Sequence, residues 1–224
     1  FLTAAGNAIF ALAVALSVNQ PIRGRDYFRV LFYAPVVLSV AVMGIILGWI
    51  LNTQFGVLNY LLMWTGMPAV PWLSSPRLVI PMLSVATIWW TFGFPMLIYL
   101  AGLQDVSQEL YEAAEIDGAG SAAKLFHVTL PMLSPTTFLV MVLAVINSFQ
   151  IFDQVYVMTL RTVPGGVGGS ATTLAYYLYR RAFTDSEFGY ASAIALVLFV
   201  IILSVTVVQL AGQRMWVYYE AEKG

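Results

Sequence analysis

The sequence predicts an all-α protein, a polytopic transmembrane helical bundle formed as a single domain over residues 1–224. Of its 224 residues, 60% are hydrophobic and only 9% are charged, whereas soluble domains carry about 25% charged residues. Apolar runs of about 20 residues, the length that a helix needs to cross a bilayer, recur along the chain. We therefore predict five membrane spans, at residues 2–18, 31–51, 79–103, 132–152 and 190–211.

Glycine and proline residues predict departures from straight helices inside two of these spans. Pro35 lies near the start of the second span, where it would kink the helix. Gly44 and Gly48 form a GxxxG pair in the same span, which would let another backbone approach closely. In the third span, Pro95 removes a helix hydrogen bond, so we predict a kink or a cavity-lining irregularity around residues 93–95.

The connections between the spans predict the orientation of the chain. Residues 19–30 carry three arginines and are therefore expected on the cytoplasmic side. Residues 52–78 would then lie outside and begin with a short interfacial helix over residues 55–64. The second outer connection, residues 153–189, is predicted to contain a surface helix over residues 174–183. A polar tail follows the last span at residues 212–224.

One polar interval interrupts the apolar chain, and we call it the acidic loop (residues 105–131). Its composition is typical of a helix over residues 105–117, which Asp105 or Ser107 would cap. Gly118 would end that helix, and Pro131 suits the first turn of the fourth span. The sequence therefore predicts a short helix and a tight turn that present small and acidic residues to the cytosol.

The acidic loop resembles a known family. The sequence Glu112-Ala113-Ala114, followed by Gly118 and then by Leu130-Pro131, resembles the EAA loop of permease subunits of binding-protein-dependent ABC importers. Val128 departs from the family's pattern, in which Ile is usual. Further stretches are similar to permeases of the carbohydrate-uptake type, including those for maltose, multiple sugars and glycerol phosphate: PIRGR (21–25), FYAP (32–35), QFGVLN (54–59), PWL (71–73), FDQVY (152–156) and FGYAS (188–192).

The resemblance implies a role and a set of partners. In that family the loop contains a coupling helix that docks in a cleft of the ATPase subunit, and the matching docking residues are Glu112, Ala113, Ala114, Asp117 and Gly118. The implied partners are a second, similar permease, two cytoplasmic ABC ATPase subunits that hold ATP and Mg, and an extracytoplasmic solute-binding protein. The chain itself is expected to bind no cofactor, to catalyse nothing alone, and to reside with membrane lipid in a bacterial or archaeal inner membrane. Such permeases have one more span upstream, so we interpret the chain as lacking the family's first span.

The absence of certain groups from the sequence argues against other functions. No predicted span contains Asp, Glu, Lys or Arg, which disfavours an ion-coupled secondary carrier, and none contains a His for a membrane-embedded enzyme. There is no GxxxxGK[ST] phosphate loop, no cysteine, and only one histidine, His127, so we expect no nucleotide or metal site. No basic stripe predicts binding to nucleic acid.

Uncharged spans favour a neutral solute, and a sugar is the expectation. Hydroxyl-rich solutes need neutral hydrogen-bonding groups and aromatic faces, whereas a phosphate ester favours a fixed charge nearby. The candidate residues for the substrate path are Trp89, Trp90, Thr91, Asn147, Ser148 and Gln150. Packing between helices is an equally good explanation for each of them, and glycerol 3-phosphate or another charged cargo remains an alternative.

Overall fold

A computed structural model describes residues 2–20, 23–160, 162–215 and 217, and no strand occurs among them. Most of the predicted polar tail and part of the PIRGR stretch lie outside these residues. The α-helices are α1 (Leu2–Val18), α2 (Arg25–Val37), α3 (Val40–Ile50), α4 (Val57–Trp64), α5 (Val79–Thr91), α6 (Gly93–Asp105), α7 (Gln108–Ile116), α8 (Ser121–Lys124), α9 (Leu130–Met132), α10 (Ser134–Phe149), α11 (Asp153–Thr159), α12 (Leu174–Tyr179) and α13 (Phe188–Gly212). The predicted all-α class is confirmed.

Most of the predicted spans are bent rather than straight. Only the segment Phe188–Met215 is a continuous helix long and apolar enough to cross a membrane among the described residues. Three helix pairs reach that length together, but they bend by 97° between α2 and α3, by 50° between α5 and α6, and by 64° between Ser121–Met132 and α10. The apolar helix α1 has 17 residues. Each of these three pairs is therefore a bent pair of helices rather than one straight helix.

The 97° bend lies at residues 38–39 rather than at Pro35, which stays inside α2. Ser39 begins the new helix, and its side chain accepts a hydrogen bond from the Val42 N–H at 3.4 Å. The Trp90 Nε1–H donates to the Pro35 carbonyl at 2.7 Å, so a side chain of α5 binds the last turn of α2. Helix α2 begins at Arg25, so the helix extends beyond the predicted span, which starts at residue 31.

The 50° bend lies at Phe92, next to the predicted break at residues 93–95, so that prediction is confirmed. Gly93 has a second role in packing. A Cβ at this position would lie 2.6 Å from the Phe32 carbonyl oxygen of α2, closer than atoms can approach. The glycine therefore allows α2 to cross α6 at backbone distance.

Helix α1 lies between α5, α6 and α10. Its buried residues are all small and recur every three or four positions: Ala4, Ala8, Ala11, Ala15 and Val18. Such a stripe of small side chains allows neighbouring helices to pack closely in a membrane. Ala15 and Leu103 belong to one buried cluster, so the ends of α1 and α6 meet beside the acidic loop.

The opposite face of the molecule (residues 52–78 and 153–187) is held by a second cluster that includes Leu51, Leu73, Val155 and Tyr176. Helix α4 confirms the predicted short helix there. The GxxxG pair packs against α11: a Cβ on Gly44 would lie 2.7 Å from a side-chain carbon of Val157, and one on Gly48 would lie 4.0 Å from the Met158 backbone. Helix α11 has 7 residues, too few to span a membrane, so the pair supports the packing of this short helix.

Candidate functional site

The acidic loop forms the first candidate surface. Its helix, α7, is shorter than the predicted 105–117 because Asp105 still belongs to α6. The Ser107 side chain accepts a hydrogen bond from the Glu109 N–H at 3.2 Å and so caps the helix, as predicted. Gly118 follows the helix in a left-handed conformation, with φ of +80°. This left-handed conformation favours glycine, because other residues are strained in it. Gly118 therefore permits the tight turn.

No residue of α7 is buried. Glu112, Ala113, Asp117 and Gly118 are exposed, and Ala114 is half-buried. Ile116 is 87% exposed although it is strongly apolar. Within the described part of the chain, the Glu112 and Asp117 carboxylates have no hydrogen bond or ion pair. The helix thus presents unpaired acids, small residues and one apolar side chain on a surface that its own chain does not cover.

A cavity of about 390 Å³ between α1, α5, α6, α10 and α11 forms the second candidate surface. It brings together five of the six residues predicted for the substrate path: Trp90, Thr91, Asn147, Ser148 and Gln150. Trp89 does not line the cavity and is 49% exposed on the outside of the bundle. The helical repeat of α5 explains this, since neighbouring residues of a helix point in different directions.

Hydrogen bonds inside the bundle already occupy some of these polar groups. Trp90 uses its N–H for the Pro35 carbonyl, which leaves only the ring face for other contacts. The Ser148 hydroxyl donates to the Ala144 carbonyl at 2.7 Å. The amides of Asn147 and Gln150 have no hydrogen bond from their side chains to any described residue. These two amides are therefore the groups best able to bind a solute.

The cavity contains polar residues that the sequence analysis missed. Thr3 and Asn7 reach it from α1, and the Asn7 Nδ2–H donates to the Thr91 hydroxyl oxygen at 2.7 Å. Asp153 and Gln154 reach it from α11, because the chain turns back after α10 instead of leaving the bundle. Asn7 is an asparagine within the apolar run of residues 2–18. It is the sequence feature that could have predicted that α1 contributes to the cavity.

Arginine residues on the opposite face are paired within the chain. Arg181 lies 3.3 Å from an Asp185 carboxylate oxygen and 3.2 Å from one of Glu187. Its Nε–H also donates to the Tyr177 hydroxyl at 3.0 Å, and this hydrogen bond lowers the pKa of Tyr177. Arg180 approaches Asp185 at 4.0 Å. Both arginines, which follow α12, are thus paired with carboxylates from the same segment of the chain.

Comparison with known proteins assigns the family. Residues 7–217 match the family described as binding-protein-dependent transport system inner membrane component. The chain belongs to this family. The match covers nearly the whole sequence, so the protein is a membrane component of a transport system that works with a binding protein, and the resemblance to carbohydrate-uptake permeases is confirmed.

Several permeases are similar to this family member in sequence. It is 35% identical over 209 residues to the sulfoquinovosyl glycerol transport system permease protein SmoG of Agrobacterium fabrum, covering 93% of this chain and 67% of that protein. It is 33% identical over 214 residues to the trehalose/maltose transport system permease protein MalF of Thermococcus litoralis, covering 96% of this chain and 71% of that protein. The chain thus spans about two thirds of the length of these relatives.

The fold also matches a solved structure. A chain of a bacterial alginate ABC transporter, crystallised with an alginate pentasaccharide-bound periplasmic protein, superimposes with a TM-score of 0.85 at 23% identity. The alignment covers 96% of this chain and 75% of that one. The fold is therefore shared.

Proposed function

We propose that the chain is one of two permease subunits of an ATP-driven importer and forms half of the path for a neutral solute, a sugar. The observation that carries the proposal is the exposed helix α7, where the carboxylates of Glu112 and of the adjoining Asp117 have no partners among the described residues. A second permease and two cytoplasmic ATPase subunits, which hold ATP and Mg, complete the complex. The chain crosses the inner membrane of a bacterium or archaeon several times and catalyses nothing alone.

Each residue of the coupling surface has a physical role in docking to the ATPase. Ala113 and Ala114 allow close approach, and Glu112 offers a charge-assisted hydrogen bond to a basic group of the partner. Asp117 lies at the end of α7 beside Gly118, whose positive φ turns the chain away from the docking surface. Closing of the ATPase dimer on ATP would then move this surface and tilt the attached membrane helices.

The cavity supports a neutral, hydroxylated cargo. The described residues that line it include amides, hydroxyls and the ring of Trp90, but no lysine or arginine. The one charged group among them is the Asp153 carboxylate, which repels an anion and accepts hydrogen bonds from hydroxyls. This favours a sugar over glycerol 3-phosphate. An extracytoplasmic binding protein would deliver the sugar to the opposite face.

The coupling role is tested by reversing the charge of Glu112. With the importer reconstituted in proteoliposomes, we expect Glu112→Lys to lower ATP-dependent uptake about tenfold or more, the factor of a lost charge-assisted hydrogen bond. Asp26→Lys is the matched control, because Asp26 is an exposed acid at the start of α2, outside the acidic loop. Uptake that persists without any ATPase and follows an ion gradient would instead indicate a secondary carrier.

The cargo is tested by competition between labelled solutes. We expect uptake of maltose or trehalose to exceed that of glycerol 3-phosphate, and Asn147→Leu to raise the KM for the sugar. Trp89→Phe should leave the KM unchanged, since Trp89 lies outside the cavity. Preference for the phosphate ester would overturn the choice of a neutral cargo and leave the transporter class intact.

A further inference from the structure

The acidic loop contains a side-chain link between α7 and the membrane helices. Helix α7 has no buried residue and packs chiefly against the π-helical turn Leu125–Thr129. A helix without a packed core transmits a displacement only through its chain ends and through bonds from its side chains. The side-chain bonds of α7 therefore determine how faithfully its movement reaches the bundle.

The hydroxyl groups of Tyr111 and Thr129 form one such bond, with 3.0 Å between their oxygens. Thr129 is buried, and its hydroxyl donates to the Lys124 carbonyl at 3.3 Å. A hydroxyl has a single hydrogen, so Thr129 accepts from Tyr111 and the Tyr111 O–H is the donor. A polarised chain of hydrogen bonds thus runs from α7 through Thr129 to the last residue of α8.

Thr129 lies where the loop joins the membrane helices. The next four residues lead to Leu133, which is fully buried at 0% exposure, and α10 begins at Ser134. Helix α10 lines the cavity with one face, from Val140 to Ser148. A displacement delivered at Thr129 therefore reaches the base of a helix that lines the cavity. π-helical turns occur frequently at functional sites.

A second link in the same loop is weaker. The Lys124 ammonium contacts the Glu115 carboxylate, but the Glu115 side chain is 66% exposed. Ion pairs between exposed side chains contribute little because water and salt screen them. The hydrogen bond to the buried Thr129 is less exposed to solvent, so it is the stronger of the two attachments.

We propose that Tyr111 and Thr129 are positioning residues that transmit the movement of α7 to α10, an inference that rests on the proposed function. The hydroxyl pair acts as a mechanical connection: it touches neither cargo nor nucleotide. Loss of the hydroxyl pair leaves the docking surface intact but weakens the response of the cavity to nucleotide binding at the ATPase.

The test measures how the cavity responds to nucleotide in the assembled importer. The chain has no cysteine, so Leu143→Cys provides a single reporter in it. In the parent protein, ATP with vanadate should change the labelling of this cysteine by a membrane-impermeant maleimide. We expect Thr129→Val, and Tyr111→Phe in a second variant, to reduce that change about fivefold, the factor that one net hydrogen bond is worth. The ATPase should still co-purify.

Matched variants separate the hydroxyl link from a general packing effect. Thr129→Ser keeps the hydroxyl and should retain the parent's response. Thr206→Val removes a similar hydroxyl bond within α13, to the Ile202 carbonyl at 2.8 Å, and should also retain it. Equal responses in Thr129→Val and the parent would overturn the link, as would equal losses in the valine and serine variants. A parent that shows no response to ATP with vanadate, or no bound ATPase, would overturn the proposed function and the link with it.

Discussion

The acidic loop and the opposite face are both polar connections between apolar helices, yet they satisfy their polar groups differently. On the opposite face, Asn59 and Thr159 are completely buried and hydrogen-bonded within the chain, and Arg181 has two carboxylate partners. In the acidic loop, Glu112 has no such partner among the described residues, and Ile116 is almost fully exposed.

This difference supports the proposal that another molecule docks on the acidic loop. A surface that buries its polar groups against itself is stable alone, because each donor and acceptor has replaced its water. A surface that leaves acids unpaired beside an exposed isoleucine gains little stability from contacts within its own chain. Substitutions on the opposite face should therefore affect stability first, and substitutions in the acidic loop should affect coupling first.

The largest expected loss of stability comes from Asn59→Leu. The Asn59 side chain donates to the Val70 carbonyl at 2.9 Å and accepts from the Val70 N–H at 3.0 Å and the Trp72 Nε1–H at 2.9 Å. A buried group left without a partner costs about 1–3 kcal/mol, so several together should lower the free energy of unfolding by about 3 kcal/mol or more. Thermal unfolding in detergent measures the change.

Gln108→Leu is the matched amide substitution in the acidic loop, where Gln108 is exposed at the start of α7. Its midpoint of thermal unfolding should stay close to that of the parent protein. A similar loss of stability in both variants would contradict the contrast between the two connections.

Two glycines with positive φ provide a sharper comparison. Gly166 has φ of +79°, and a Cβ there would lie 2.9 Å from the Ala171 backbone nitrogen. Gly118 has φ of +80°, and a Cβ there would have no neighbouring atom within 4 Å. Gly118→Ala should cost about 1 kcal/mol of stability from backbone strain alone, whereas Gly166→Ala adds a clash and should cost about 3 kcal/mol. Equal midpoints of thermal unfolding would contradict this.

A smaller loss is expected from Thr159→Val. The Thr159 hydroxyl donates to the Val155 carbonyl at 2.7 Å and accepts from the Gly165 N–H at 2.9 Å, at 0% exposure. Its removal leaves a buried N–H unpaired, which costs about 1–3 kcal/mol. Thr162→Val is the control, since the Thr162 hydroxyl only donates to the Thr159 carbonyl at 3.2 Å. Equal shifts of the unfolding midpoint in both variants would show that the Gly165 contact contributes nothing.

The sequence predicts the class of fold and the helix of the acidic loop because both depend on local patterns. Apolar length predicts α13 nearly to its ends, and the cap by Ser107 follows from residue type and position. The proline at position 95 predicts the bend beside Phe92, since its missing N–H removes a helix hydrogen bond within the span.

What the sequence does not predict depends on contacts between distant segments. The 97° bend is held by Trp90, which lies 55 residues from the Pro35 carbonyl that it binds. The polar contributions of Asn7 and Asp153 to the cavity arise because α1 packs beside α5 and α10, and α11 packs beside α3 and α5, and no local pattern encodes that. Trp89, which was predicted for the substrate path, does not line the cavity, because the helical repeat of α5 places its side chain on the outside of the bundle.

The smallest expected effect is a change in one pKa on the opposite face. The hydrogen bond from Arg181 lowers the pKa of the Tyr177 hydroxyl, because it stabilises the phenolate. Arg181→Gln should therefore raise the pKa of Tyr177, moving its ionisation to higher pH in an alkaline ultraviolet difference titration. Tyr177→Phe identifies the signal by removing it. Lys124→Gln in the acidic loop should leave it in place, because Lys124 pairs with Glu115 on the other side of the bundle. If Arg181→Gln leaves the ionisation unchanged, Arg181 is not held against Tyr177, and the self-contained pairing of the opposite face is contradicted at this residue.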